Sequence, residues 1–212
     1  MNIEVFVFNA FYENTYILYD ETGECAIIDP GCSSYEEKQK LTQFIQEKNL
    51  NPVLLLNTHC HIDHILGNQF IHQHFKLPLG GHRGEIPVLA SAVQIAHMYQ
   101  LYYEPSPEIS VFYEDGDTIA FGNTQLKVLF VPGHSPASIA FYHQDSASLI
   151  GGDVLFQGSI GRTDLPGGDY DTLISSIQKK LFTLPDAVRV HSGHGNPTTI
   201  GIEKTTNPFF NS

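Results

Sequence analysis

Apolar and polar positions alternate along the first thirty residues, and the pattern then changes to one of helices and buried strands. Short runs with a two-residue alternation, separated by polar turns, are typical of antiparallel strands. We predict strands over residues 2–8, 15–19 and 25–28, with polar turns over 12–15 and 20–24. The chain therefore begins with three short strands.

Three later segments have the spacing of amphipathic helices. Ser33 and Ser34 stand three residues before Glu36 and Glu37, which is a double capping-box pattern, and a stripe of apolar side chains follows. A helix is therefore predicted over residues 34–49. Two more helices are predicted, one over 86–103 and one beginning after Asp169, a residue type that caps helix N-termini.

Four apolar runs between these helices predict strands that are buried on both faces. They cover residues 52–56, 126–131, 148–150 and 187–190. Strands and helices mostly alternate after residue 30, so the predicted fold class is α/β. The length fits a single domain spanning residues 1–212, with a core of ordinary size.

The composition is acidic and rich in histidine. There are 11 Lys and Arg against 23 Asp and Glu, a net charge of −12, and 11 His. This balance argues against nucleic acid and anionic membranes as partners and favours a small-molecule substrate, while the oligomeric state stays open. No apolar run is long enough to span a membrane, and the first ten residues lack the basic start of a signal peptide.

The three cysteines, Cys25, Cys32 and Cys60, are odd in number and irregularly spaced. A disulfide framework or a four-cysteine zinc site would have a different pattern. We therefore predict free thiols and a cytoplasmic location, with Cys60 a packed side chain rather than a redox centre.

Each of the four buried strands is followed by potential metal ligands. The seven are His59, His61, Asp63, His64, His134, Asp153 and His194. Loops at the carboxyl ends of buried strands are where α/β proteins place chemistry. Five imidazoles and two carboxylates suffice for two four- or five-coordinate divalent ions that share Asp153. A single histidine is more often a packed or surface residue, but the clustering of seven ligands favours a metal site.

The chain resembles the metallo-β-lactamase-fold hydrolases, and among them the single-domain proteins similar to hydroxyacylglutathione hydrolase (glyoxalase II). The stretches that carry the resemblance are 29–31, 57–64, 131–134, 152–156, 161–164 and 192–209. The resemblance implies a four-layer αββα sandwich of two mixed sheets with outer helices and a metal cleft at one edge. It also implies hydrolysis of a small acyl thioester by a hydroxide that bridges two metal ions.

The resemblance further implies a role for each ligand. His59, His61 and His134 would hold the first ion, Asp63, His64 and His194 the second, and Asp153 would bridge them. Asp29 would contact the ligands and support them without being a ligand itself. Asp63 or Asp153 would orient the attacking water or receive its proton. Zinc is the predicted metal, with iron and manganese as alternatives because the set includes two carboxylates.

Substrate recognition is less constrained by the sequence. The full glyoxalase II enzymes carry a C-terminal helical domain that helps to bind glutathione, and we expect this chain to lack it. Arg162 could bind a substrate carboxylate or pair with Asp164. Tyr99, Tyr102 and Tyr103 fit core packing or exposure better than a wall of the cleft.

The main alternative is a persulfide dioxygenase on the same scaffold, with a single iron held by His59, His134 and Asp153. The residues around His61 also resemble that family. The surroundings of His194, however, are those of the hydrolases. A non-enzymatic metal carrier is a further alternative and would require coordinatively closed sites.

Overall fold

The computed structural model describes residues 1–210 as a mixed α/β chain with two six-stranded sheets and one two-stranded sheet. The strands are β1 (Asn2–Phe8), β2 (Glu13–Tyr19), β3 (Glu24–Ile28), β4 (Asn51–Leu56), β5 (Leu79–Gly81), β6 (Ile109–Phe112), β7 (Thr118–Phe121), β8 (Thr124–Phe130), β9 (Ile139–His143), β10 (Ser148–Gly152), β11 (Leu155–Phe156), β12 (Ser159–Ile160), β13 (Arg189–Ser192) and β14 (Thr198–Thr199). The helices are α1 (Tyr35–Glu47), α2 (Ile62–Ile65), α3 (Asn68–Phe75), α4 (Ile86–Met98), α5 (Tyr170–Ser176) and α6 (Ile200–Thr206). Among residues 1–210, no helix is long and apolar enough to cross a membrane.

The chain divides into two compact units. The first comprises Met1–Tyr113 and Ala120–Gln125, and the second comprises Glu114–Ile119 and the chain from Leu126 onward. The assignment of residues 1–212 to one domain stays a prediction.

The sheet of the first unit has the order β1-β2-β3-β4-β5-β6. Strands β1 to β3 are antiparallel neighbours, whereas β3, β4, β5 and β6 are parallel neighbours. The carboxyl ends of these parallel strands therefore meet at one edge of the sheet. The residue after β3 is Asp29, and the segment after β4 is Asn57 to His64, so this edge carries candidate ligands.

Helix α1 begins as the sequence predicts. The Ser34 side chain accepts the Glu37 N–H, and the Glu37 carboxylate accepts the Ser34 N–H at 3.0 Å. Leu41 and Ile45 are the buried residues of its apolar face, and they pack into the core of the first unit. The capping box therefore fixes where the helix starts, and burial of the apolar stripe stabilises it.

The second large sheet has the order β14-β13-β10-β9-β8-β7 and is also mixed. Strands β10 and β13 are parallel, whereas the β9–β10 and β13–β14 pairs are antiparallel. The core of the second unit includes Leu173, Ile177 and Leu181, the predicted helical stripe behind Asp169. Asp169 caps α5 by accepting the Thr172 N–H at 2.8 Å, as predicted.

Three predicted boundaries are wrong. The helix predicted over 86–103 ends at Met98, because Gln100 adopts a left-handed backbone conformation (φ 56°) and the Leu101 N–H turns back to the Ala96 carbonyl. The strand predicted over 187–190 begins only at Arg189, because Val188 donates to the Pro185 carbonyl in a turn. The polar turn predicted over 12–15 is wrong at 13–15, because β2 begins at Glu13, which pairs with Phe8 of β1. The strands predicted over 2–8, 25–28, 52–56, 126–131 and 148–150 lie within two residues of β1, β3, β4, β8 and β10. The strands β5, β6, β7, β9, β11, β12 and β14 were not predicted.

Candidate metal centre

Four of the predicted ligands lie on the segment that follows β4. His59 and His61 precede α2 on non-helical backbone, whereas Asp63 and His64 lie within that helical turn. The two pairs therefore lie on backbone of different shape. The His59 ring centroid lies 4.8 Å from that of His61 and 4.2 Å from that of His64, and Asp63 Oδ2 lies 3.5 Å from His64 Nε2.

Asp29 and Thr58 orient the rings of His59 and His64. The Thr58 hydroxyl donates to Asp29 Oδ2 at 2.6 Å, so His59 Nδ1, 3.0 Å from that hydroxyl, must itself donate. His64 Nδ1 lies 3.2 Å from Asp29 Oδ2 and donates to it. Each ring therefore keeps its lone pair on Nε2, the arrangement of a histidine poised to bind a cation.

The Asp29 carboxylate is itself engaged with other groups. In addition to these contacts, Oδ1 accepts the Thr58 N–H at 2.7 Å. The ligand atoms of Asp29, His59 and His64 all lie within 4.8 Å of one another. Asp29 is thus close enough to support both histidines, in the role that the resemblance implies.

Glu13 lies next to this network and is fully buried. Its Oε1 lies 3.9 Å from His64 Nδ1, and its Oε2 lies 2.8 Å from the Thr15 hydroxyl. Burial raises the pKa of the Glu13 carboxyl well above its ordinary value. A second carboxyl group therefore lies close to the His64 ring.

The other three predicted ligands meet in the second unit. His134 follows β8, Asp153 follows β10, and His194 follows β13. Asp153 Oδ2 lies 3.5 Å from Nε2 of both histidines. His134 Nδ1 donates to the Arg162 carbonyl at 2.8 Å, so its Nε2 carries the lone pair.

Tight backbone packing holds the loops that carry Asp153 and His194. A β-carbon at Gly161 would lie 1.9 Å from the Asp153 carbonyl oxygen, so only glycine fits there. The Gly193 N–H donates to the Gly152 carbonyl at 2.8 Å, which ties the His194 loop to the Asp153 loop. The separation of these two ligands is therefore fixed by the backbone.

The donor set in each unit fits divalent cations. Two ligand atoms bound at about 2.0–2.2 Å to a tetrahedral ion are separated by roughly 3.3–3.6 Å. The 3.5 Å separations between Asp153 and its two histidines, and between Asp63 and His64, fall in that range. Neutral imidazoles combined with carboxylates are also the ligands that zinc, iron and manganese accept.

The remaining predicted residues lie on or near the surface. Arg162 pairs with Asp164 through two hydrogen bonds of 2.7 Å, and this bidentate contact lowers the pKa of Asp164 to about 2. Tyr99 and Tyr102 are exposed, whereas Tyr103 packs against the core of the first unit. The substrate-binding role of Arg162 stays a prediction.

The prediction of free, packed cysteines is confirmed. Cys25, Cys32 and Cys60 are free and buried. Burial, reinforced by the nearby Glu85 carboxylate, raises the pKa of the Cys60 thiol well above its ordinary value. This thiol therefore lacks the lowered pKa that marks a reactive cysteine.

Several residues around the ligands were not identified from the sequence. The segment of residues 59–64, which we call the ligand segment, carries His59, His61, Asp63 and His64 in the pattern H-x-H-x-D-H. Glu13, Thr58 and Glu85 contact this segment but are not part of the pattern. Glu13 is followed by Asn14 and Thr15 in a stretch whose pattern predicts a polar turn, so nothing in the local sequence marked it. A buried carboxylate at such a position requires hydrogen-bond partners and therefore marks a network.

Comparison with known proteins identifies the family. The profile of the Metallo-beta-lactamase superfamily matches residues 9–194, most of the chain. The chain belongs to this superfamily. This metallo-β-lactamase superfamily member is 40% identical to the hydroxyacylglutathione hydrolase GloC of Haemophilus influenzae, with 100% of this chain and 99% of that protein covered. It is thus a metallo-hydrolase, and the fold and donor groups imply divalent metal ions.

Solved structures show the same fold. The B3 metallo-β-lactamase BLEG-1 matches with a TM-score of 0.89 and 33% identity, covering 100% of both chains. TTHA1623, solved in a di-iron-bound form, matches with a TM-score of 0.87 and 36% identity, covering 97% of this chain and 99% of that one. The predicted metallo-β-lactamase fold class, with two mixed sheets and helices, is confirmed.

Proposed function

We propose that this superfamily member is a dinuclear metal-dependent hydrolase that cleaves small acyl thioesters. The observation that carries the proposal is the position of Asp153, whose Oδ2 lies 3.5 Å from Nε2 of both His134 and His194. A carboxylate equidistant from two histidines is suited to bridge two ions. The 40% identity to a hydroxyacylglutathione hydrolase along the full chain supports the thioester substrate class.

The ligand assignment follows the family pattern. The proposed ligands are His59, His61 and His134 for one ion, Asp63, His64 and His194 for the other, and Asp153 for both. Hydrogen bonds from Nδ1 leave Nε2 to ligate in His59, His64 and His134. Zinc is the proposed metal because the set is rich in imidazole, although the di-iron form of TTHA1623 shows that a related chain accepts iron.

Two divalent ions held by these residues would lower the pKa of a bound water to near 7 and would polarise the acyl oxygen of the substrate. Asp63 and Asp153 are the two carboxylates of the set, and we propose that one of them orients the attacking water and accepts its proton. A thiolate leaves readily without protonation, so no strong general acid is needed. The proposed partner is a small-molecule thioester, and the cytoplasmic location stays a prediction.

A substrate panel with metal analysis tests this proposal. Purified protein loaded with zinc, iron or manganese would be assayed for thiol release from S-lactoylglutathione and from other acyl thioesters. We expect hydrolysis that is abolished in Asp153→Ala and retained in Asp186→Ala, which removes an exposed carboxylate paired with Lys204. Absence of hydrolysis with both sites filled would contradict the proposal, and oxygen uptake on glutathione persulfide with one iron bound would favour the dioxygenase.

A further inference from the structure

The ligand segment after β4 is held at its amino-terminal end by a buried carboxylate. Glu85 is 1% exposed, and its Oε2 accepts the Cys60 N–H at 2.9 Å. Cys60 lies between His59 and His61, so this hydrogen bond holds the His59–Cys60 peptide in place. Glu85 is itself held in a 3₁₀ turn, where its N–H donates to the His82 carbonyl at 3.0 Å.

The carboxyl-terminal end of the segment is held by a side-chain amide. Asn9 Nδ2 donates to the carbonyl oxygens of Asp63 and Gly31, each at 3.0 Å. The Asn9 N–H donates to Glu37 Oε1 at 2.6 Å, so the capping box of α1 anchors this residue. A β-carbon at Gly31 would lie 2.6 Å from both Asn9 Nδ2 and the Asp63 carbonyl oxygen, which shows how closely these groups pack.

We propose that Glu85 and Asn9 are positioning residues that clamp the two ends of the metal-binding segment and thereby set its metal affinity. Glu85 holds the His59–His61 end, and Asn9 holds the Asp63 end. The clamp rests on the ligand assignment proposed above, in which these two ends serve different ions. Each contact preorganises one pair of ligands, so loss of one contact weakens one ion more than the other.

Zinc titration of the full chain, in competition with a chromophoric chelator, resolves the two dissociation constants without any turnover. We expect Glu85→Ala to raise one constant about tenfold and Glu85→Gln, which keeps an acceptor for the Cys60 N–H, to stay within about threefold of the wild type. The matched control is Asp20→Ala. Asp20 is also buried and accepts backbone N–H groups, from Thr22 and Asn123, but is not bonded to the ligand segment. Its removal should lower the melting temperature and leave both constants unchanged.

Asn9→Gly tests the other end, since glycine tolerates the left-handed conformation of Asn9 (φ 50°). We expect it to raise one constant about tenfold, with Asn49→Gly (φ 52°) as the matched control without effect. The double variant Glu85→Ala/Asn9→Gly should raise both constants. Constants within twofold of the wild type in Glu85→Ala or Asn9→Gly would overturn the clamp. A wild type that binds zinc but hydrolyses no thioester would instead overturn the proposed activity, and the clamp would still be judged by the constants.

Discussion

The Asp29 carboxylate lies 3.2 Å from Nδ1 of His64 and 2.6 Å from the hydroxyl of Thr58. One acidic side chain therefore sets the tautomer of two histidines, because Thr58 passes the constraint on to His59. A carboxylate in this position also makes the imidazole more basic and so a stronger ligand. Asp29 thus contacts the candidate ligands as the resemblance predicts for a residue that supports them without being a ligand.

Replacement of Asp29 tests this arrangement. In Asp29→Asn the amide can donate towards His64 Nδ1 and disfavour the tautomer with its lone pair on Nε2. We expect zinc affinity to fall about 10-fold to 100-fold, as judged by chelator competition. Asp169→Asn, which replaces the N-cap of α5 by an equally good cap, should leave zinc affinity unchanged. Equal affinities for Asp29→Asn and the wild type would show that Asp29 has no part in ligand orientation.

Two glycines near Asp153 make a matched pair. An added β-carbon at Gly161 would meet the Asp153 carbonyl oxygen at 1.9 Å, whereas at Gly151 its nearest neighbour is a Val190 methyl at 3.4 Å. We expect Gly161→Ala to lose most of its bound metal, because the Asp153 loop must move, and Gly151→Ala to retain it. The measurement is metal content after dialysis, and similar losses in both variants would contradict this reading of the loop.

The partly buried side chain of His191 should make the folding stability of the protein decrease at acid pH. Burial, aided by the charge of Arg189, lowers the pKa of His191 from 6.5 to about 4. Between these values the unfolded chain binds a proton that the folded chain excludes, so the stability from this group is complete above pH 6.5 and is lost as the pH falls to 4. Urea unfolding at several pH values measures the free energy of unfolding. Its decrease between pH 6.5 and 4 should be smaller in His191→Gln than in the wild type, by the uptake of about one proton on unfolding. An equal decrease in both proteins would show that His191 does not cause this loss of stability.

The sequence leaves two roles open for Arg162, binding of a substrate carboxylate and pairing with Asp164, and the two roles can be tested apart. The exposed pair of Arg162 with Asp164 should contribute little to stability, because exposed ion pairs are largely screened. We expect Arg162→Ala to keep the wild-type melting temperature but to raise KM several-fold for a thioester with a carboxylate, and not for a neutral one. Asp164→Ala, which removes the ion pair with Arg162, should not raise KM for the anionic substrate. Equal KM changes for both substrates in Arg162→Ala would assign this residue a purely local role.

The features that the sequence predicted are those encoded by neighbouring residues. Ser34 and Glu37 of the capping box are three positions apart, and the four ligands of the ligand segment lie within six positions. Spacing alone therefore identifies both features. The early end of α4 was missed because its left-handed residue is Gln100, where glycine would have been the signal. Glu85 was missed because its contact with Cys60 joins residues 25 positions apart, and only the tertiary fold creates that pairing.

The most direct test of the account is a metal titration of thioester hydrolysis. Metal-free protein would receive zinc in small steps while metal content and thiol release from an acyl thioester are followed together. We expect hydrolysis to rise until two ions are bound per chain, because the seven proposed ligands would hold two ions that share Asp153. Hydrolysis that is complete at one ion per chain, or absent at two, would contradict this expectation.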